Sequence, residues 1–546
     1  MVETLRGKSV AMLSIVVICA GLALAGCGSS ESEADRSTLR GNTSAFPDAL
    51  DPALVMSQEG WSAMWNTYIP LLTYAHAGGV EGTQLIPGLA RTLPEVSADG
   101  RTYTLHLRPG LRYSDGAPVR ASDFRASIER LIELNGGGSP YFTDIVGAAG
   151  FAETKRGGIA GIETDDDSGR ITIRLTKPRG TFPFELATLA SAPLPAGTKA
   201  EDMTADPPPA TGPYEIVAVR PGRGWEYARN PEWEANNAEL LPQLPGGHAD
   251  RIEIDVVSNP NTQVTEVERG DADWMVYPPP ADRLADLREH FEGTQLISTP
   301  LIGVFYFWMN STEPPFDDVR VRQAVNYAIA PAALERIYAG QMEPLQQILP
   351  PAMPGHEEFA PYPYDMQRAR ALIAAAAPRE RQVTVWTNNF PTNQEAGEYY
   401  AGVLDELGFE TELKVLNTTN YFTVISNLNT PELDTGWGNW LLEYPHPNSY
   451  LEPQLTGDAI NETANYNWAH FEDPALDARV ERLRQKQLGP AEEDAYARLD
   501  RAYMRQAPWA PFGQLTLSTF VSADVDSEEL IVSPVYGQDL SSLELE

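Results

Sequence analysis

Cysteine is nearly absent: the 546 residues carry two, Cys19 and Cys27, both within the first thirty. The rest of the chain therefore has no disulfide, no thiol nucleophile and no thiolate metal site. Histidine is sparse as well. The seven (His76, His106, His248, His290, His356, His446 and His470) include no His-x-x-x-His pair that could grip a metal. Positive charge is short, with 40 Lys and Arg against 76 Asp and Glu and a net charge of −36. That balance argues against nucleic acid as the main partner, because phosphate binding needs clustered cations. It argues equally against a polybasic membrane patch. Catalytic signatures are missing too. There is no Gly-x-Ser-x-Gly elbow, no phosphate loop ending in Lys-Ser/Thr and no Gly-x-Gly-x-x-Gly. The expectation is a protein that is not an enzyme and carries no catalytic residue, cofactor or metal.

What is there describes a globular, exported chain. Hydrophobic residues make up 42% and charged ones 21%, which is enough apolar surface for a core. At roughly 150 residues per domain the length allows about three or four domains. Arg6 and Lys8 precede an apolar run of sixteen residues, Val10–Ala25. That is shorter than the roughly 20 a membrane-spanning helix needs, and it fits a signal peptide. The run ends in "LAGC" (Leu24–Cys27), which resembles the lipobox of bacterial lipoproteins. The resemblance implies residues 1–26 as a cleaved signal, Cys27 as the lipidation site, and residues 27–37 as a small, polar tether. An uncleaved anchor would also leave the protein outside the cytoplasm, held at the membrane.

Along the body, helical and strand patterns alternate, so the fold class is α/β or α+β. Tyr103, Leu105 and Leu107 alternate with polar residues and predict a half-buried strand. Phe124, Ile128, Leu131 and Ile132 then fall at helical spacing, with Ser122 and Asp123 as candidate caps. "IAGIETDDDSGRITIRL" (Ile159–Leu175) reads as two strands around a polar turn. Its three aspartates lack the alternating spacing of a calcium loop. "PPPATGPYEI" (Pro207–Ile216) has the proline density of a linker. "PFDDVRVRQAVNYAI" (Pro315–Ile329) predicts an amphipathic helix capped by Asp317 or Asp318.

Several segments then agree on one family. "LDP" (Leu50–Pro52) is followed by "IPGLARTLPEVSADGRTYTLHLRPGLRYSDGAPVRASDF" (Ile86–Phe124). "TGPYEI" (Thr211–Ile216), "RNPEW" (Arg229–Trp233), "GDADW" (Gly270–Trp274) and the Pro315–Ile329 segment come after it, in order. The chain resembles the solute-binding proteins of peptide/nickel-type ABC transporters. The resemblance implies an α/β, type II periplasmic-binding-protein-like fold with three lobes and a ligand cleft between lobes I and III. Lobe I would comprise 38–73, 191–298 and 515–546, lobe II 74–190, and lobe III 299–514. It further implies a monomeric receptor that captures a peptide or other small solute. Its partners would be permease subunits driven by cytoplasmic ATPases, and the membrane through Cys27.

The same resemblance supplies a candidate site. Peptide receptors of the family place an aspartate against the ligand's ammonium in a segment similar to Trp440–Pro447, and here Glu443 stands in its place. A ligand amine or a protein arginine could neutralise it. Trp437, Trp440, Tyr444 and His446 flank it. Loops that the family puts at the cleft add Glu59, Gly60 and Trp61, Phe305 and Trp308, and Trp386 and Asn388. Aromatic faces suit peptide side chains or sugar rings, so an oligosaccharide receptor is the alternative. For each tryptophan, ordinary core packing is the competing reading. "LDTGWGNW" (Leu433–Trp440) has no arginine for a ligand carboxylate, which disfavours a short peptide clamped at both ends. A signalling lipoprotein that kept the fold but lost transport is a third reading.

Overall fold

The expected alternation at Tyr103 and Leu105 forms a strand, Thr102–His106, with both side chains buried. In the computed structural model, which describes residues 38–545, this strand belongs to an antiparallel sheet ordered 95–96, 102–106, 170–174, 162–165. The signal segment, the tether and Cys27 lie outside the described residues. Helix Ala121–Glu133 covers this sheet and buries Phe124, Ile128 and Leu131 completely. Each such side chain contributes about 1.5–3 kcal/mol through its burial. The helix start meets the expectation for Asp123 and not for Ser122. Arg120 occupies the cap position, and Asp123 reaches back to accept its N–H at 2.8 Å. Ser122 turns outward and donates to Asp166 at 2.8 Å. Asp166 thus ties the hairpin turn to the helix, and Asp165 braces the turn itself by accepting the Asp167 N–H at 3.1 Å.

A second sheet has five strands, ordered 274–275, 38–43, 251–256, 224–229, 214–220. Thr38–Thr43 runs parallel to both of its neighbours. The proline-rich stretch before the last strand is not a free linker. The Thr211 and Gly212 N–H groups donate to the Thr67 carbonyl at 3.0 and 2.9 Å, and Tyr68 Oη donates to the Pro208 carbonyl at 2.7 Å. A Cβ at Gly212 would lie 2.3 Å from the Asn66 carbonyl oxygen. Proline here sets the shape of a packed strap rather than marking a boundary.

The third sheet is mixed and seven-stranded. Its main path runs 296–300, 509–520, 303–309, 435–441, 382–388, 410–416, and 342–344 pairs with 509–520. Every residue of Gly303–Met309 is buried, as expected of a strand covered on both faces. Tyr306 stacks on Trp509 at 3.8 Å, and Phe307 stacks on Tyr400 at 4.0 Å. Helix Val319–Ala328 is capped by Asp318, which accepts the Arg320 N–H at 2.8 Å. The long strand Trp509–Phe520 serves two partners. Its first part pairs with Gly303–Met309 and its last part with Leu296–Pro300. Val521 then bridges to Trp274 in the five-stranded sheet.

One seam is close enough to test. The Gly180 N–H donates to the Arg484 carbonyl at 2.6 Å, and Gln487 Nε2 donates to Tyr103 Oη at 3.1 Å. A Cβ at Gly180 would fall 1.6 Å from the Lys486 carbonyl oxygen. Backbone cannot yield there as a flexible side chain would. Gly180→Val should cost about 1–3 kcal/mol and lower the melting temperature accordingly. An unchanged melting temperature would mean that the seam is looser than its geometry.

Candidate functional site

Glu443 lies two residues past the end of strand Thr435–Leu441, in a turn that the chain braces heavily. Ser449 Oγ donates to the Tyr444 and His446 carbonyls at 3.0 and 2.8 Å, and Trp440 Nε1 donates to the Ser449 carbonyl at 3.0 Å. The strand itself is thinned to fit its neighbours. A Cβ at Gly436 would meet the Trp308 indole at 2.8 Å, and one at Gly438 would meet Tyr306 at 3.0 Å. The glycines and tryptophans of this stretch are thus complementary parts of one packed face.

The Glu443 carboxylate has a single hydrogen-bond partner among the described residues, Tyr141 Oη, which donates at 3.3 Å. No described cation pairs with it. Burial is the largest influence on its acidity and raises its pKa to about 7; the Tyr141 hydrogen bond opposes that shift and Glu452 adds to it. The group therefore sits where a small change in surroundings decides its charge. Two cavities meet at this pair. One is small, about 20 Å³, and is lined by Val55, Met56 and Trp61, by Gly138 and Tyr141, by Thr188–Ala190, and by Glu443 and Tyr536. The other, about 400 Å³, runs between residues 140–179 and 443–484 and again includes Tyr141 and Glu443. Tyr444 lines the larger cavity and meets Tyr141 edge-on at 5.9 Å.

The remaining expected residues sit elsewhere. Trp308 is fully buried and donates to the Trp437 carbonyl at 3.1 Å, while Trp437 donates to Tyr338 Oη at 3.0 Å. Phe305 packs among Tyr338, Trp437 and Phe512. These three belong to the interior of the seven-stranded sheet and line neither cavity. Trp440 meets Tyr466 edge-on at 5.4 Å. Trp386 donates to the Glu432 carbonyl and lies under Lys414. Asn388 organises its own loop, accepting from the Phe390 N–H and Asn393 Nδ2. Gly60 is a packing residue, since a Cβ there would lie 2.3 Å from Val55 Cγ2. Glu59 is hydrogen-bonded with Tyr277 and, with desolvation, raises that phenol's pKa. His446 is fully buried between Phe184 and Tyr496, its Nδ1 accepting the Asn448 N–H. Desolvation lowers its pKa to about 3, so it is neutral at physiological pH.

Tyr141 and Tyr536 were not legible in the sequence as wall residues. Tyr141 follows "GGGSP" (Gly136–Pro140), and nothing in that loop signals a residue 302 positions away. Among the described residues no group of three or more His, Cys, Asp or Glu is placed to hold a metal. The arrangement can bind and orient a solute: aromatic walls, a buried carboxylate with no cation beside it among the described residues, and cavities that meet there.

Sheets built this way, joined by a shared long strand and enclosing a cavity, define a solute-binding protein of the periplasmic-binding-protein fold. The chain belongs to the bacterial extracellular solute-binding proteins, family 5, whose middle-region model matches residues 84–462. It is 27% identical to heme-binding protein A of Haemophilus influenzae over 544 residues, covering 91% of this chain and 93% of that one. It is 25% identical to the dipeptide-binding protein of Escherichia coli (strain K12), covering 80% and 82%. Among solved structures it is similar to clavulanic acid biosynthesis oligopeptide binding protein 2. The TM-score is 0.83 at 25% identity, with 93% of this chain and 95% of that one covered.

Proposed function

We propose that the protein captures a peptide outside the cytoplasmic membrane and delivers it to an ABC permease driven by cytoplasmic ATPases. The observation that carries this reading is Glu443, a carboxylate on the wall common to two cavities with a phenol but, among the described residues, no cation beside it. A peptide's α-ammonium supplies the missing charge, and a buried carboxylate and ammonium need each other. Relatives named for dipeptides and oligopeptides support the class of ligand. We further propose lobe boundaries near 298/299 and 514/515. They fall on Leu296–Pro300 and Trp509–Phe520, which pair side by side. Two adjacent strands of this kind suit a hinge that closes one lobe over the solute. Cys27 would anchor the receptor, a monomer, through its lipid.

Thermal shift with four probes tests the reading. Trialanine should raise the melting temperature, because a ligand that binds only the folded state stabilises it. N-acetyl-trialanine, which lacks the ammonium, should not. Cellotriose and haemin should leave it unchanged. Stabilisation by cellotriose or haemin alone would replace the peptide reading with a sugar or haem one.

A further inference from the structure

The small cavity at Glu443 has a methionine, Met56, in its wall. Among the described methionines Met56 alone is exposed, at 48%; Met203 and Met366 are half-buried and the others are buried. Both cysteines lie outside the described residues, so no thiol among these competes for an oxidant. The Met56 thioether is therefore the most accessible oxidisable sulfur on the folded part of the chain.

Close packing ties that sulfur to Glu443. The Met56 side chain lies across the loop at 136–138: a Cβ at Gly137 would fall 1.9 Å from Sδ and 2.7 Å from Cε. A Cβ at Gly136 would fall 1.9 Å from the Ala53 carbonyl oxygen, so the loop is pressed against residues 53–56. The same loop carries Tyr141, whose N–H donates to the Gly138 carbonyl at 3.2 Å and whose Oη donates to Glu443. On the other side the Met56 N–H is held by Asp48 Oδ2 at 2.7 Å. The cavity shared by Met56, Tyr141 and Glu443 is about 20 Å³, room for about one water molecule. An oxygen bonded to Sδ therefore meets either the loop, which must shift, or the cavity, where it accepts the Tyr141 hydroxyl in competition with Glu443.

We propose that Met56 is a modification site: a peroxide converts its thioether to the sulfoxide, which displaces the loop that carries Tyr141 and weakens solute binding. One peroxide oxygen bonds to Sδ, the O–O bond breaks, and the other oxygen leaves as water. Sulfur gives up two electrons and the peroxide takes them. The flexible apolar side chain becomes a polar one with a strong acceptor, in a site with no spare room. The Tyr141 hydrogen bond favours the charged form of Glu443. With the phenol drawn away, an arriving ammonium meets a neutral acid instead of a carboxylate. The effect on binding rests on the peptide reading; the site of oxidation and the loop displacement do not.

Hydrogen peroxide titrated onto the full chain tests this. Peptide mapping by mass spectrometry should find the added oxygen at Met56 before Met203 or Met366. Amide hydrogen exchange across residues 136–142 should then quicken about tenfold, and trialanine affinity by calorimetry should fall about tenfold. Met56→Leu keeps an apolar wall of similar volume. Peroxide should change neither the exchange nor the trialanine affinity of that variant, whatever their starting values. First oxidation at Met203 or Met366 overturns the site. Unchanged exchange at 136–142 in the Met56 sulfoxide overturns the displacement, and unchanged trialanine affinity overturns the link to binding. An equal peroxide effect in Met56→Leu overturns both. If trialanine does not bind the untreated protein, the peptide reading fails, while mapping and exchange still decide the modification site.

Discussion

Glu443→Gln should weaken trialanine binding by at least about 30-fold, because removing one partner of a desolvated ion pair costs about 2–5 kcal/mol. The substitution keeps the shape and a hydrogen-bond acceptor for Tyr141, so the loss reports charge rather than packing. Binding by the unaltered protein should also depend on pH in one direction set by this group. Burial raises the Glu443 carboxyl to about 7 in the unliganded protein. Below that value it carries a proton, and an arriving ammonium must displace it. Affinity should therefore fall by about tenfold per pH unit as pH drops below about 7. Above pH ~8 the peptide's own amine loses its proton, so affinity should peak between these limits. Glu443→Gln should flatten the acid limb. Stability follows the opposite sign. A carboxyl raised above its unfolded value stabilises the fold at low pH, and that contribution is lost as pH rises toward about 7. The glutamine variant should accordingly melt no lower than the parent at pH 8. An acid limb that persists in Glu443→Gln would assign the titration to another group.

The elements that could be read in the sequence were those whose pattern has one physical meaning. Strand alternation at Tyr103 and Leu105 and the helical spacing from Phe124 to Leu131 each select one face, and each formed as expected. Gly303–Met309 has no such selectivity. A strand buried on both faces is apolar throughout, so its aromatics do not reveal which side meets a ligand. That is why Phe305 and Trp308 could stand as cleft candidates and yet lie inside the sheet. Glu443 stood out because its neighbours resemble a known segment. Its partner Tyr141 did not, because a contact spanning 302 positions leaves no local mark. The proline-rich strap misled for a related reason: proline density records fixed backbone angles, and a packed strap needs these as much as a linker does.

The "LDP" segment teaches the same lesson and leads to the largest expected loss of stability. Asp51 is fully buried and receives both arms of Arg130, at 2.8 and 2.5 Å. It also accepts the Ala53 and Met203 N–H groups, each at 3.0 Å. Arg130 in turn donates to the Lys199 and Glu201 carbonyls at 2.6 and 2.8 Å. One ion pair thus fastens three pieces of chain: the loop at 51–53, helix Ala121–Glu133 and the stretch 199–203. Arg130→Met should lower unfolding stability by about 3–5 kcal/mol, because it leaves the Asp51 charge buried and unpaired. Asp51→Asn combined with Arg130→Met should recover part of that loss, since the stranded charge is removed while an acceptor remains. Urea unfolding of the parent, both single variants and the double variant measures the coupling. A double variant that loses the sum of the two single losses would show that the pair is not coupled. Trialanine affinity per folded molecule should stay at the parent value throughout, because neither residue lines the cavities that meet at Glu443.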